Sequence, residues 1–243
     1  MRKIILFCIG MIIIAGAIQP QRIVHCPTAG ITDHGNLLMF ASAFPEDGLR
    51  VALSLGLWDR LQVSTAYGAM KLVGRGSVTL DKSPGLGIKF RMMHEGINTP
   101  AVAIGVETIG FGEYIEDSQR FEHKSRGVYV VASKNWRFLA GNLGIHSGIN
   151  YSFEQNFSQG FSFYVGMDKD IKDALGFKLE YDLAPGDWKE PYGNGYGYLS
   201  AALCMYFSRS GYVTFNFFDI LGNIKGKVAP SREFFVFFSA KIF

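Results

Sequence analysis

Hydrophobic and polar positions alternate along most of the chain. Over 49–57, Leu49, Val51, Leu53, Leu55 and Leu57 form one set, and Arg50, Ala52, Ser54 and Gly56 the other. Over 86–92, Leu86, Ile88, Phe90 and Met92 oppose Gly87, Lys89 and Arg91. Over 175–183, Leu175, Phe177, Leu179, Tyr181 and Leu183 oppose Gly176, Lys178, Glu180 and Asp182. A helix would mix the two sets on each face, whereas a strand, with its period of two, separates them. The pattern predicts about twelve strands, over 36–44, 49–57, 61–72, 85–93, 101–110, 128–133, 139–153, 160–168, 175–183, 198–207, 212–220 and 234–243. No repeat, low-complexity tract or linker divides them, so 35–243 reads as one domain.

The connections sort as well. Those at 58–60, 95–99, around 135–137, 169–174 and 208–211 are short, and those at 73–84, 111–127, 184–197 and 221–233 are long. Short turns at one edge and long loops at the other describe an all-β transmembrane antiparallel up-and-down barrel. A soluble barrel alternates too, with its apolar face inward. Three features favour the membrane. The apolar faces are long enough for a tilted strand to cross a bilayer. Aromatics gather near strand ends as an interfacial girdle would: Phe44, Trp58, Tyr67, Trp136, Phe138, Tyr151, Phe153, Phe161, Tyr181, Trp188 and Tyr212. The polar faces mix Gly, Ala and Ser with charges of both signs, which suits a narrow lumen. The terminal Phe243, with Phe235 and Phe237 at alternate positions, partly matches the C-terminal aromatic signature of such barrels, and Ser239 and Lys241 break it.

Composition narrows the class. Of 243 residues, 48% are hydrophobic and 19% charged, which excludes disorder. The 21 Phe, 11 Tyr and 29 Gly suit strands and tight turns. A net charge of +3 without a basic run argues against nucleic acid as a partner. The three cysteines form no CxxC pair, and His25, His34, His94 and His123 fall in loops without ligand spacing, so no metal or cofactor is expected. Arg2 and Lys3, the apolar run 4–17 and the closing Ala-Gly-Ala predict a cleaved signal peptide over 1–17. Residues 18–34 then form a lead segment before the barrel. The expected location is the outer membrane of a Gram-negative-type cell, with membrane lipid, lipopolysaccharide and the barrel-assembly machinery as partners.

If the apolar faces meet lipid, then Arg50, Lys89, Arg91, Glu107, His146, Lys178, Glu180 and Asp182 line the lumen. An Arg or Lys facing mid-bilayer hydrocarbon would cost about 2–4 kcal/mol. These groups form either a selectivity ladder for an anionic or sugar solute or mutually neutralising ion pairs that plug the barrel. The charge-rich stretch 113–126 reads as a solvated outer loop, with a lumen-folding constriction or an ion bridge to lipopolysaccharide as the sharper alternatives. The segment 193–197, GNGYG, reads as a flexible outer loop, beside which Trp188, Tyr192 and Tyr196 could stack on sugar rings. His146 and Ser147 are adjacent on a strand and so point to opposite faces, and no GxSxG elbow is present, so no catalytic residue is expected.

Four segments carry a family likeness: PTAGITDHG at 27–35, KFRMMHEGINTPAVAIGVETIG at 89–110, GVYVVASKNW at 127–136 and NLGIHSGINYS at 142–152. Their succession resembles the YjbH-type proteins, outer-membrane β-barrels associated with exopolysaccharide production. The resemblance implies the location and a polysaccharide link, and transfers no catalytic residue. The expected function is a non-enzymatic narrow channel or scaffold linked to surface-polysaccharide export. The alternatives are a soluble periplasmic barrel holding an apolar ligand and, more remotely, an outer-membrane lipid hydrolase.

Overall fold

The structure is a computed structural model that describes residues 20–72, 77–139, 141–154, 160–172, 174–188 and 192–243. The expected signal peptide at 1–17 lies outside the described residues. In chain order the strands are β1 (Asn36–Phe44), β2 (Gly48–Leu57), β3 (Leu61–Met70), β4 (Thr79–Leu80), β5 (Gly85–Met93), β6 (Ala101–Glu107), β7 (Phe111–Ile115), β8 (Arg120–His123), β9 (Gly127–Arg137), β10 (Asn142–Tyr151), β11 (Ser162–Ile171), β12 (Leu175–Asp182), β13 (Tyr198–Ser208), β14 (Gly211–Phe218) and β15 (Ser231–Lys241). Strand β4 is a short extension on β3, and β7 and β8 pair only with each other. The other twelve run β2-β1-β15-β14-β13-β12-β11-β10-β9-β6-β5-β3, and β2 pairs with β3, which closes the ring. Every pairing is antiparallel, and β1 meets β15 with Asn36 opposite Lys241, so first and last strands share a seam. A closed ring leaves no unpaired edge, the condition for a β structure inside lipid.

The wall strands fall close to their predicted positions. The largest shift is at β9, which runs on to Arg137 because Asn135 and Trp136 stay paired with Gly144 and Leu143 of β10. The turn expected around 135–137 is displaced to the residues just after it.

The two faces of the wall separate by the same alternation. On β13, Leu203 is 52% exposed on the outside, while its neighbour Ala202 is 1% exposed inside. Met39, Val51, Ile88, Val130, Phe163 and Met205 continue the outer apolar surface around the ring. An apolar belt of this extent on a closed barrel is a transmembrane surface. Trp58, Trp136, Phe138, Phe207 and Phe243 are exposed at the short-turn end, and Tyr67, Phe153, Phe161 and Trp188 at the long-loop end.

Two residues expected in this girdle belong inside. Phe44 is 7% exposed and Tyr212 2% exposed, because both sit at lumen-facing register positions. The Phe44 ring lies 5.4 Å from the Arg50 guanidinium, and Tyr212 stacks on Phe237 at 4.4 Å. Phe235 and Phe237, read as part of a terminal signature, also face the lumen. The outer face of β15 is carried by Phe234, Val236 and Phe238.

Candidate functional site: a lumen filled from both ends and its vestibule

The lead segment is inside the barrel. From Pro20 the chain enters at the short-turn end, turns, and returns to β1. The turn is closed by Ile23 N–H donating to Cys26 O (2.9 Å) and Thr28 N–H donating to Gln21 O (3.1 Å), with Arg22 bridged to Pro27. Ile23, Val24, His25, Cys26, Thr28 and Ala29 are all buried.

The wall holds this hairpin by its backbone. The Glu180 carboxylate accepts the successive N–H groups of Val24 (2.9 Å), His25 (3.0 Å) and Cys26 (2.8 Å), a nest of amides around an anion. Lys178 Nζ donates to Arg22 O (2.9 Å). Lys89 Nζ donates to Gly30 O (2.8 Å) and Thr28 O (3.3 Å), and Arg91 Nε to Ala29 O (3.3 Å). Tyr164 O–H donates to Pro27 O (3.0 Å), and Thr32 N–H donates to Gln62 (2.9 Å). Two side-chain pairs add to this: Arg22 with Glu107 (2.6 Å) and His25 with Glu233 (2.6 Å). All eight residues assigned to the lumen are buried there: Arg50, Lys89, Arg91, Glu107, His146, Lys178, Glu180 and Asp182. They do not pair with one another as a plug of mutual ion pairs would. A strand face spaces its side chains about 7 Å apart, and an inserted chain brings partners into the gaps.

A second insert comes from the long-loop end. The stretch 113–126, expected to be a solvated loop, instead folds inward as the β7–β8 hairpin, which matches the lumen-folding alternative. Here the insert's own charged side chains form ion pairs, while Glu154 accepts the backbone N–H groups of Phe121 (2.9 Å) and Ser125 (3.2 Å). Arg120 binds Asp187 through two nitrogens (2.7 and 3.0 Å), Lys124 joins the same carboxylate (3.0 Å), and Arg126 pairs with Asp182. Burial alone would raise the Asp187 carboxyl, but the bonds from Arg120 and Lys124 outweigh it and hold the group below its ordinary range. His123 is pushed well below the usual imidazole value, first by burial and then by His25, Arg126 and Arg120. Arg50 pairs with Asp81 (3.1 Å) and donates to Gly110 O (2.8 Å) at the root of this insert. The two inserts meet where His25 stacks on His123 at 4.3 Å.

The lumen is lopsided. One half of the wall carries the charges described above, while β1, β14 and β15 present Phe40, Tyr212, Phe235 and Phe237, packed at ring distances of 4.4–5.0 Å. Two cavities are small, about 50 Å³ beside Arg22 and Glu107 in mid-barrel and about 30 Å³ beside Arg126 and Asp182 toward the long-loop end. At the short-turn end a vestibule of about 730 Å³ remains. Thr28, Ala29 and Gly30 of the hairpin close its inner end, and Arg91, Asn135, His146, Asp168, Tyr206 and Arg209 are among its walls. In that wall His146 Nδ1 lies 2.8 Å from Ser133 Oγ, and His146 Nε2 lies 2.5 Å from Asp168 Oδ1.

Residues 22–185 match the family described as "Exopolysaccharide biosynthesis protein YbjH". This chain belongs to the YjbH family. The matched region opens within the N-terminal hairpin and takes in the β7–β8 insert, so both inserts fall inside the family region. No curated protein matches the sequence. Among solved structures, the chain is similar to the KdgM porin, at 12% identity over 84% of this chain and 97% of that one, TM-score 0.47. It is also similar to the NanC porin (11% identity, 84% and 98% covered, TM-score 0.46) and to the Acinetobacter baumannii outer membrane protein Omp33 (7% identity, 85% and 96% covered, TM-score 0.48).

The outer loops of this YjbH-family barrel are tied together more than the sequence suggested. The 193–197 segment, read as flexible, is bonded to the 219–225 loop: Asn194 N–H donates to Asn223 O (2.9 Å), Tyr196 N–H to Asn223 Oδ1 (2.9 Å), and Gly193 bridges to Ile224. Of the three aromatics proposed to meet sugar, Trp188 and Tyr196 are exposed, although the Trp188 indole N–H donates to Leu183 O. Tyr192 is turned over the Arg120 guanidinium at 4.5 Å and serves the insert instead. Among the described residues, no three His, Cys, Asp or Glu side chains gather as a metal site.

Sequence reasoning missed Arg22, Ser133, Asp168, Asp187 and Glu233. Ser133 and Asp168 were within reach, since both lie on the polar set of predicted strands. Arg22, Asp187 and Glu233 become partners only through the folding of loops, which periodicity does not report.

Proposed function

We propose that this YjbH-family barrel is an outer-membrane passage for exopolysaccharide work, held shut by its own N-terminal hairpin. One observation carries the reading: the wall grips residues 20–32 through hydrogen bonds to backbone atoms, from Glu180, Lys178, Lys89, Arg91 and Tyr164. The bond from Tyr164 is worth about 0.5–1.5 kcal/mol net and those from the charged groups about 1.5–3 kcal/mol, and each can re-form with water or with a hydroxylated solute. Withdrawing the hairpin toward the short-turn end, the periplasmic side in barrels of this class, bares a channel lined with Lys89, Arg91, Glu107, Lys178 and Glu180 on one side and aromatic rings on the other. Charged groups beside aromatic faces suit a sugar polymer.

The test is planar-bilayer conductance of the intact protein and of a variant lacking 20–32. The intact barrel is expected to conduct poorly and the deletion variant to conduct and admit oligosaccharides, both migrating as heat-modifiable barrels. A deletion variant that remains folded and closed would leave the β7–β8 insert as a permanent filling, and the barrel would then act as a scaffold.

A further inference from the structure

Strand register brings together three residues that lie far apart in the sequence. Ser133 of β9 is directly opposite His146 of β10, and Asp168 of β11 sits two residues beyond Gly166, the β11 partner of His146. All three line the vestibule. Ser133 Oγ accepts the Ala29 N–H (2.8 Å), so the serine's own proton is the one shared with His146 Nδ1 (2.8 Å). With the Nε2 proton directed at Asp168 Oδ1 (2.5 Å), the Nδ1 lone pair faces the hydroxyl. A nucleophile, a base and an orienting carboxylate then stand in line. Gly144 makes this possible. A Cβ there would lie 2.5 Å from Asp168 Oδ1 and 2.8 Å from His146 Nε2, so any side chain would push the pair apart.

We propose that Ser133, His146 and Asp168 form a nucleophilic site in the vestibule that hydrolyses short O-acyl esters carried on sugar hydroxyls. Ser133 Oγ attacks the ester carbonyl carbon while its proton passes to His146 Nδ1. Asp168 keeps its charge and holds the imidazolium. The Ala29 N–H, already aimed at Ser133 Oγ, and the Arg91 guanidinium in the same cavity supply positive charge for the oxyanion. Collapse breaks the ester C–O bond, and His146 returns the proton to the departing sugar oxygen. Water then attacks the acyl-serine along the same proton path and releases the carboxylic acid. Ester and water become alcohol and acid, and no oxidant or cofactor is required.

The position selects the substrate. Ala132, Ile145 and Met167 occupy the neighbouring outward positions on the same three strands, so the wall itself separates the site from membrane lipid. A phospholipid acyl chain has no route to Ser133. The cavity lining includes Asn135, Asn142, Asp170 and the mutually tilted rings of Tyr206 and Tyr212 (5.3 Å), chemistry that receives a hydroxylated ring. The hairpin at Thr28–Gly30 closes the inner end, which restricts the acyl group to a short one.

The test uses the full chain in detergent micelles, exposed to a fluorophosphonate and then to 4-nitrophenyl acetate and glucose pentaacetate. Peptide mass spectrometry is expected to place the phosphonate on Ser133. Ser133→Ala and His146→Ala should each lose the label and at least a hundredfold in turnover. Asp168→Asn should lose about 100- to 10,000-fold. Ser147→Ala, on the outer face, should change nothing. An unlabelled Ser133 in a heat-modifiable barrel overturns the proposal, as does labelling that survives His146→Ala in a folded variant. If the variants fail to fold, labelling of the unaltered protein decides alone. A full chain that goes unlabelled while the variant lacking 20–32 conducts sinks the esterase alone, and a labelled full chain whose 20–32 deletion stays folded and closed sinks the passage alone.

Discussion

The two inserts that fill the barrel are held by different mixtures of contacts. At the short-turn end, wall side chains mostly reach the backbone of the N-terminal hairpin, whose own side chains add two pairs, Arg22 with Glu107 and His25 with Glu233. At the long-loop end, the side chains of the β7–β8 insert, Arg120, Lys124 and Arg126, reach Asp187 and Asp182. Backbone bonds ask little of the inserted sequence and can be traded one at a time. Ion pairs buried among aromatics are costly to break singly, because each leaves an uncompensated charge behind. The first arrangement suits a part that leaves, and the second suits a part that stays.

Substitutions can break this contrast. The largest effect is expected from Asp187→Ala, which strands Arg120 and Lys124 and should cost about 3–5 kcal/mol. It should be read as a lower temperature for loss of the folded gel band, with conductance still low because the N-terminal hairpin remains. Glu180→Ala removes a charged acceptor shared by three backbone N–H groups, where bonds to charged groups are worth about 1.5–3 kcal/mol each, so the loss should be comparable in size. Here conductance should rise. If Asp187→Ala opens the barrel and Glu180→Ala does not, the two inserts have been assigned the wrong roles. Val24→Ala trims a buried side chain at the hairpin tip and should cost only about 1.5 kcal/mol, leaving the barrel closed, since the backbone bonds are untouched. A leaky Val24→Ala barrel would show that side-chain packing holds the hairpin after all.

The smallest effect concerns pH. The folded state holds His123, beside His25, Arg120 and Arg126, at a lowered pKa. The unfolded chain therefore takes up the proton first. Stability is complete above the ordinary imidazole value of about 6.5 and declines as pH falls below it, by roughly 0.7 kcal/mol between about pH 7 and pH 6. His123→Phe should flatten that part of a melting-temperature profile. An unchanged slope would mean that another group titrates there.

What could be read from the sequence follows from what alternation records. The lipid-facing residues Leu203 and Met205 and the lumen-facing Lys178, Glu180 and Asp182 could be sorted because lipid on one side and polar contacts on the other repeat every two residues. Phe44 and Tyr212 were assigned to the girdle but belong inside, because the lumen is itself part aromatic and a hydrophobic residue does not say which apolar surface it meets. The hairpin at 20–32 left no period, since its contacts run through backbone atoms that every residue possesses. The β7–β8 insert looked solvated because Arg120, Lys124 and Arg126 are as charged in a buried pair as in water. Ser133, His146 and Asp168 needed cross-strand register, which no single strand's pattern contains.

The seam between β1 and β15 lies beside the root of the N-terminal hairpin. Gly35, the residue before β1, accepts the N–H of Ile242 at 2.8 Å and packs against Phe243. During biogenesis the cylinder cannot zip shut until β15 has been delivered, so the strand that closes the ring is also the one that clamps the root of the N-terminal hairpin. Closure of the wall and anchoring of the hairpin's root thus share one contact. On the proposed reading, a half-built sheet never presents an open passage, because the strand that completes the wall also anchors the hairpin that fills it.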